Sequence, residues 1–120
     1  MSAHELLRRQ LARQALEVVA GRWVLDVAER LAATSPMRYG ELVDAIPEIA
    51  EGSLSRTLRQ MERDGLVRRI MRPTMPGQVD YQLTDLGVSI IELLDVLATW
   101  AAEHGGEVET ARLSYRDPQG

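Results

Sequence analysis

Residues 52–69 read GSLSRTLRQMERDGLVRR. Arg56, Arg59 and Arg63 recur at helical spacing, a stop of the form Asp64-Gly65-Leu66 follows, and Arg68 and Arg69 come next. An ideal helix advances about 100° per residue, which brings Leu54, Leu58 and Met61 within about 60° of one another. Those three can dock on a core. Gly52, Arg56, Arg59 and Arg63 fall on the opposite side, with Ser53, Ser55 and Gln60 beside them. Such a face suits a major groove: arginine pairs with guanine O6 and N7 or with phosphate, and serine and glutamine reach base edges or backbone oxygens. Gly52 permits close backbone approach near a helix N-terminus, whose amides favour phosphate. For an isolated helix of this kind a solvated charged face is the better explanation, so the flanking elements matter.

Upstream, apolar residues recur at helical spacing over 3–20 (Leu7, Leu11, Ala15, Val18, Val19). Gly21 interrupts the pattern. It resumes at Trp23, Val24, Val27, Ala28 and Leu31 and stops at Pro36. A short extended piece, MRY, precedes GELVDAI, a helix of about two turns that Pro47 ends. The helix over about 51–63 then closes at Gly65, a residue suited to a left-handed cap. Downstream, Val67, Arg69 and Met71, then Val79, Tyr81 and Leu83, alternate around the turn RPTMPGQ, which predicts a β-hairpin over 67–83. Thr84 is an N-cap candidate for a final helix carrying Leu86, Ile90, Leu93, Leu94, Leu97 and Trp100 on one stripe; Gly105-Gly106 is expected to end it. The polar tail that follows reads as loosely ordered. The expected fold is therefore mainly α with a small β-hairpin, an α+β winged helix-turn-helix occupying 1–106 with a tail over 107–120.

Charge distribution supports a polyanionic partner. The net charge is −4, yet residues 52–79 hold six arginines and two acids, a balance of +4, against −8 for the remainder. Local charge steers association with nucleic acid more than the total does. Arg72 stands beside the hairpin turn, where a wing tip would meet phosphates or the minor groove. Arg68 and Arg69 point to opposite faces of their strand, so one at most, here Arg69, faces DNA. Arg38, ahead of the short helix, suits either a phosphate clamp or a surface role. All 14 basic residues are arginine; a GC-rich genome accounts for this most simply, and it is compatible with bidentate contacts.

Several function classes are excluded. There is no cysteine among the 120 residues, hence no disulfide, thiolate metal site or thiol nucleophile. His4 and His104 lack any metal-ligand spacing, and no acid pair, phosphate loop or nucleophile set stands out, so neither an enzyme nor a cofactor is expected. No apolar run approaches membrane-spanning length, and the charged MSAHELLRRQ start is unlike a signal peptide, which points to a cytoplasmic protein. Trp23 and Trp100 both lie on apolar stripes. One reading makes them core and dimer packing; the other makes them the walls of an aromatic-lined pocket for a small-molecule effector at the dimer interface.

From Gly21 to His104 the chain resembles the HxlR-type winged-helix transcriptional regulators of bacteria. The segments that carry the likeness are GRWVLDVAERL, RYGELVDAIPEI, LSRTLRQMERDGLVRR, P.MP..VDYQLTDLG and LATWAAEH. The resemblance implies a homodimer built from the first and last helices, through Leu7, Leu11, Leu94, Leu97 and Trp100, bound to a two-fold related double-stranded operator. It also implies a recognition helix at about 51–63. Two departures stand out. Members of this family often carry a cysteine ahead of the GRW segment, and this chain has none. The usual serine or threonine at the start of the recognition helix is Ala50, the loss of a cap that contributes roughly 1 kcal/mol unless Ser53 caps a shortened helix. The competing expectation is a winged-helix module that binds protein or ligand and not an operator.

Overall fold

The computed structural model describes residues 1–118. In chain order the elements are α1 (Ala3–Val19), α2 (Val24–Ala33), β1 (Met37–Arg38), α3 (Tyr39–Ala45), α4 (Glu51–Arg63), β2 (Val67–Met71), β3 (Val79–Leu83) and α5 (Asp85–Ser114). The expected helices and hairpin are all present. The sequence did not reveal β1 as a strand. Its two residues pair antiparallel with β3, giving a three-stranded sheet of order β1-β3-β2. The fold is α+β.

The core is one apolar cluster. Val24, Val27, Ala28 and Leu31 of α2 meet Leu42 and Ile46 near α3, Leu54, Leu58 and Met61 of α4, and Leu66, Val67 and Leu83 around the hairpin. Ile90 of α5 closes it. α2 and α4 contribute the stripes expected from their period, because burying one face of an amphipathic helix removes apolar area from water at about 25 cal/mol per Å2; α1 and α5 contribute only part of theirs.

Two glycines are required where they stand. Gly65 has φ 79°, which an L-residue with a Cβ adopts only with strain. In that conformation the Leu66 N–H reaches the Met61 carbonyl at 2.8 Å and terminates α4. At Gly87, a Cβ would collide with the Leu66 carbonyl oxygen and the Leu83 side chain. That close approach seats the start of α5 against the hairpin, where the Thr84 hydroxyl accepts from the Gly87 N–H at 3.0 Å and donates to the Gly65 carbonyl.

α5 departs most from expectation. It continues through Gly105 and Gly106 to Ser114, so residues 107–114 are helical and not a loose tail; residues 119 and 120 of the expected tail lie outside the described residues. Two interior glycines cost about 1 kcal/mol each relative to alanine, but EVETARLS beyond them is rich in helix formers and holds no proline. Only the first part of α5, with Ile90, Ile91 and Leu93, packs on the core, and α1 is attached through Val18 and Val19 at its last turn. Both helices project. The Cα radius of gyration is 18.1 Å, against roughly 14 Å for a compact domain of this length.

Candidate nucleic-acid interface

α4 starts at Glu51 with Ala50 in the N-cap position, and no side chain caps it. Ser53 therefore does not serve as a later cap. It lies inside the first turn, where its hydroxyl accepts from Arg56 Nη2 at 3.2 Å. This contact folds the Arg56 guanidinium back toward the helix start, over Gly52, whose missing Cβ would sit 3.9 Å from Arg56 Nη1. Leu54, Leu58 and Met61 are fully buried, while Arg56, Arg59 and Arg63 are exposed on the other side. Arg63 lies 3.6 Å from Asp64 Oδ1, a pair open to solvent on the arginine side, and such pairs contribute little. Gln60 is half-buried next to Gly21 at the junction of α1 and α2. Ser55 is half-buried as well, held by the Tyr39 hydroxyl of α3 at 3.0 Å.

The sheet register sorts the remaining arginines. Arg69 pairs with Tyr81, and Arg68 with Gln82. Directly paired residues share a sheet face, so Arg69 stands with Val67, Met71, Tyr81 and Met37 on the face that packs toward the helices. Burial pushes the Tyr81 phenol above its ordinary range; Arg69 opposes the shift, while Glu62 and Tyr39 add to it. Arg69 and Glu62, at the C-terminal end of α4, thus both act on Tyr81. Arg68 points to the opposite face.

Arg72 differs from expectation. It is no free guanidinium at the wing tip: its Nη2 and Nε lie 2.6 and 2.7 Å from Asp80 Oδ2, and Gln78 Nε2 donates to Asp80 Oδ1 at 3.1 Å. Asp80 is 5% exposed, so a charge there requires partners. The hydrogen bonds from Gln78 and Arg72 hold its carboxyl below the usual range, with help from the nearby Arg72 and Arg38 charges and against burial. Arg38 is the register partner of Asp80 and is exposed. Its backbone N–H donates to Glu41 Oε1 at 3.0 Å, and its Nε lies 3.8 Å from the same oxygen. No sequence signal marks Asp80 as the anchor, because the Arg72–Asp80 contact spans a turn whose register only the folded hairpin sets.

Within one subunit the two tryptophans lie apart. Trp23 lines a cleft of about 500 Å3 with Arg22, Asp26, Arg30 and Glu48, its ring under the Arg22 guanidinium at 4.7 Å. Trp100 lies on the projecting part of α5, 55% exposed, with the His104 ring 5.1 Å away. Leu7 and Leu11 are about half exposed and Leu97 is 39% exposed, while Leu94 is half-buried. Among the described residues no group of side chains could hold a metal ion, and no helix is long and apolar enough to cross a membrane.

The geometry is that of a winged helix-turn-helix, and the HxlR-like helix-turn-helix family pattern matches residues 18–109. The chain belongs to that family. Among its relatives is the uncharacterized HTH-type transcriptional regulator YdzF of Bacillus subtilis, 35% identical over 91 residues, which cover 76% of this chain and 84% of YdzF. YtfH of Escherichia coli is 32% identical over 101 residues, or 84% of this chain and 79% of YtfH. A crystal structure of the HTH-type regulator ytcD superposes with a TM-score of 0.70 at 33% identity, over 80% of this chain and 97% of that one. Reduced YodB of B. subtilis superposes at 0.68 and 27% identity, over 74% and 86%. These proteins are transcriptional regulators and not enzymes, and this HxlR-like chain is a helix-turn-helix transcriptional regulator. A diamide-treated form of YodB is also similar in structure; this chain contains no cysteine.

Proposed function

We propose that this chain acts as a homodimer that binds a specific double-stranded operator, with α4 in the major groove and the β2–β3 wing on the backbone or minor groove. One observation carries the reading: α4 buries its whole apolar face and turns Arg56, Arg59 and Arg63 outward at helical spacing. Arg69 extends this positive edge from the sheet face beside α4. The Arg56 guanidinium, held by Ser53, is presented as a base reader, and Arg59 and Arg63 as phosphate contacts. Arg68, on the far face, is left out. Arg72 and Arg38 shape and flank the wing, with Arg72 largely neutralised by Asp80.

Dimerisation is supported by the projecting helices. Leu6, Leu7, Leu11 and Leu16 of α1 and Val96, Leu97 and Trp100 of α5 are exposed, an apolar surface that a second copy would cover. Two-fold symmetry then sets two half-sites about 34 Å apart. The protein works where the chromosome is, in the cytoplasm.

The test is fluorescence anisotropy against the DNA upstream of its own gene, beside a shuffled duplex, across a salt series. Preference for the natural sequence with steep salt dependence is the expected result. Salt-independent binding, or none at low salt, would move the reading to a protein-interaction module. In the same assay Arg56→Ala should weaken specific binding by about 1–3 kcal/mol while sparing shuffled DNA; equal loss on both duplexes would make Arg56 a phosphate contact.

A further inference from the structure

Tyr39 opens α3 and Ser55 lies one turn into α4. The Tyr39 hydroxyl is 3.0 Å from the Glu51 carbonyl oxygen and 3.0 Å from Ser55 Oγ. A carbonyl oxygen only accepts, so the single phenolic proton goes to Glu51. The contact with Ser55 can then be made in one way: the serine donates its own proton to the phenolic oxygen. What Ser55 retains is lone pairs. On the helical wheel it sits about 40° from Arg59, at the edge of the arginine face, and it is half-buried.

The major groove offers two kinds of partner. Guanine and thymine present acceptors at O6, N7 and O4, while adenine N6 and cytosine N4 are donors. A free serine hydroxyl rotates and satisfies either kind. A serine whose proton is already committed accepts only.

We infer that Tyr39 is a specificity-determining positioning residue: by accepting the Ser55 hydrogen bond, it leaves Ser55 able to read only a base with an amino group in the major groove, adenine or cytosine, at one position of each half-site. The inference rests on the operator-binding reading above. The same phenol ties the first turn of α4 to α3, where no side chain caps the helix. Its ring packs against the core, so Tyr39→Phe keeps the packing and removes only the hydroxyl.

The experiment is selection of bound sequences from a random duplex library by the full chain, by Tyr39→Phe and by Ser55→Ala, with the melting temperature of each recorded. The wild type should return one position per half-site restricted to adenine or cytosine. Tyr39→Phe should admit guanine and thymine there, with discrimination falling about 2–10-fold, the range of one hydrogen bond, and every other position unchanged. A uniform loss of stability would not move one position alone. If Tyr39→Phe does not fold, Ser55→Ala, which leaves the Tyr39–Glu51 bond in place, must lose preference at that same position. Unchanged preferences in both variants, or a wild-type position restricted to guanine or thymine, would overturn the inference. A wild type that selects no sequence at all would overturn the operator-binding reading beneath it.

Discussion

α1 and α4 are both arginine-bearing amphipathic helices, and the fold treats them in opposite ways. α4 buries Leu54, Leu58 and Met61 to 2% exposure or less; α1 leaves Leu6, Leu7, Leu11 and Leu16 more than half exposed. Amphipathic spacing therefore states only that a helix has a face to cover, not what covers it. For α4 the cover lies within the chain, which frees its arginines to act outward. For α1, and for α5 beyond Leu94, the chain leaves these side chains exposed, and the proposed second copy would supply the cover. In the proposed dimer, the basic Arg8, Arg9 and Arg13 of α1 and the acidic Glu103, Glu107 and Glu109 of α5 would give these two helices opposite charge.

The contrast can be broken by substitution, beginning inside the body. Leu58→Ala should destabilise the fold by about 2–5 kcal/mol, as a buried leucine leaves a cavity, measured by urea unfolding. Leu11→Ala should cost the isolated subunit far less, and equal losses would erase the distinction between the helices. Trp100→Ala should leave the fold intact but weaken self-association by about 2 kcal/mol, as expected of a buried aromatic anchor. Sedimentation across a concentration series checks this; an unchanged dimer would remove the projecting part of α5 from the interface.

Gly106→Ala tests the projecting helix more gently. No atom lies within 4 Å of a Cβ placed there, so helix propensity should raise stability by about 0.5–1 kcal/mol. A loss on thermal unfolding would instead mean that a partner helix approaches closely at that point. The smallest effect is expected at the wing. The Asp80 carboxyl is held below its ordinary range in the folded protein. The resulting stabilisation is present above the unfolded aspartate range and disappears as pH falls through the lowered folded value. Asp80→Asn should remove this acid-range component from a pH series of unfolding, and a series identical to wild type would separate Asp80 from wing stability.

Much of the body was legible from local pattern. The stripe of α4, the Gly65 stop and the alternation of β2 and β3 are short-range signals, and each had one consistent solution. Other features were not. β1 is two residues long, and its identity as a strand exists only in its pairing with β3. The Gly105-Gly106 pair is a strong local stop, yet the good helix formers on both sides carry α5 through it. Arg72 looked free because its partner Asp80 is eight residues away, across a turn.

By itself, the sequence determined the order of elements, the apolar faces, the absence of thiol chemistry and the concentration of positive charge over 52–79. These depend on residue type and on spacings of a few residues, which the chain carries wherever it folds. Tertiary structure alone decided which arginines stay unpaired, which sheet face Arg69 shares with α4, and that Tyr39 bonds both Glu51 and Ser55. Those outcomes depend on register and on the docking of one helix against another, and a hydrogen bond made across 12 or 16 residues has no counterpart in local spacing.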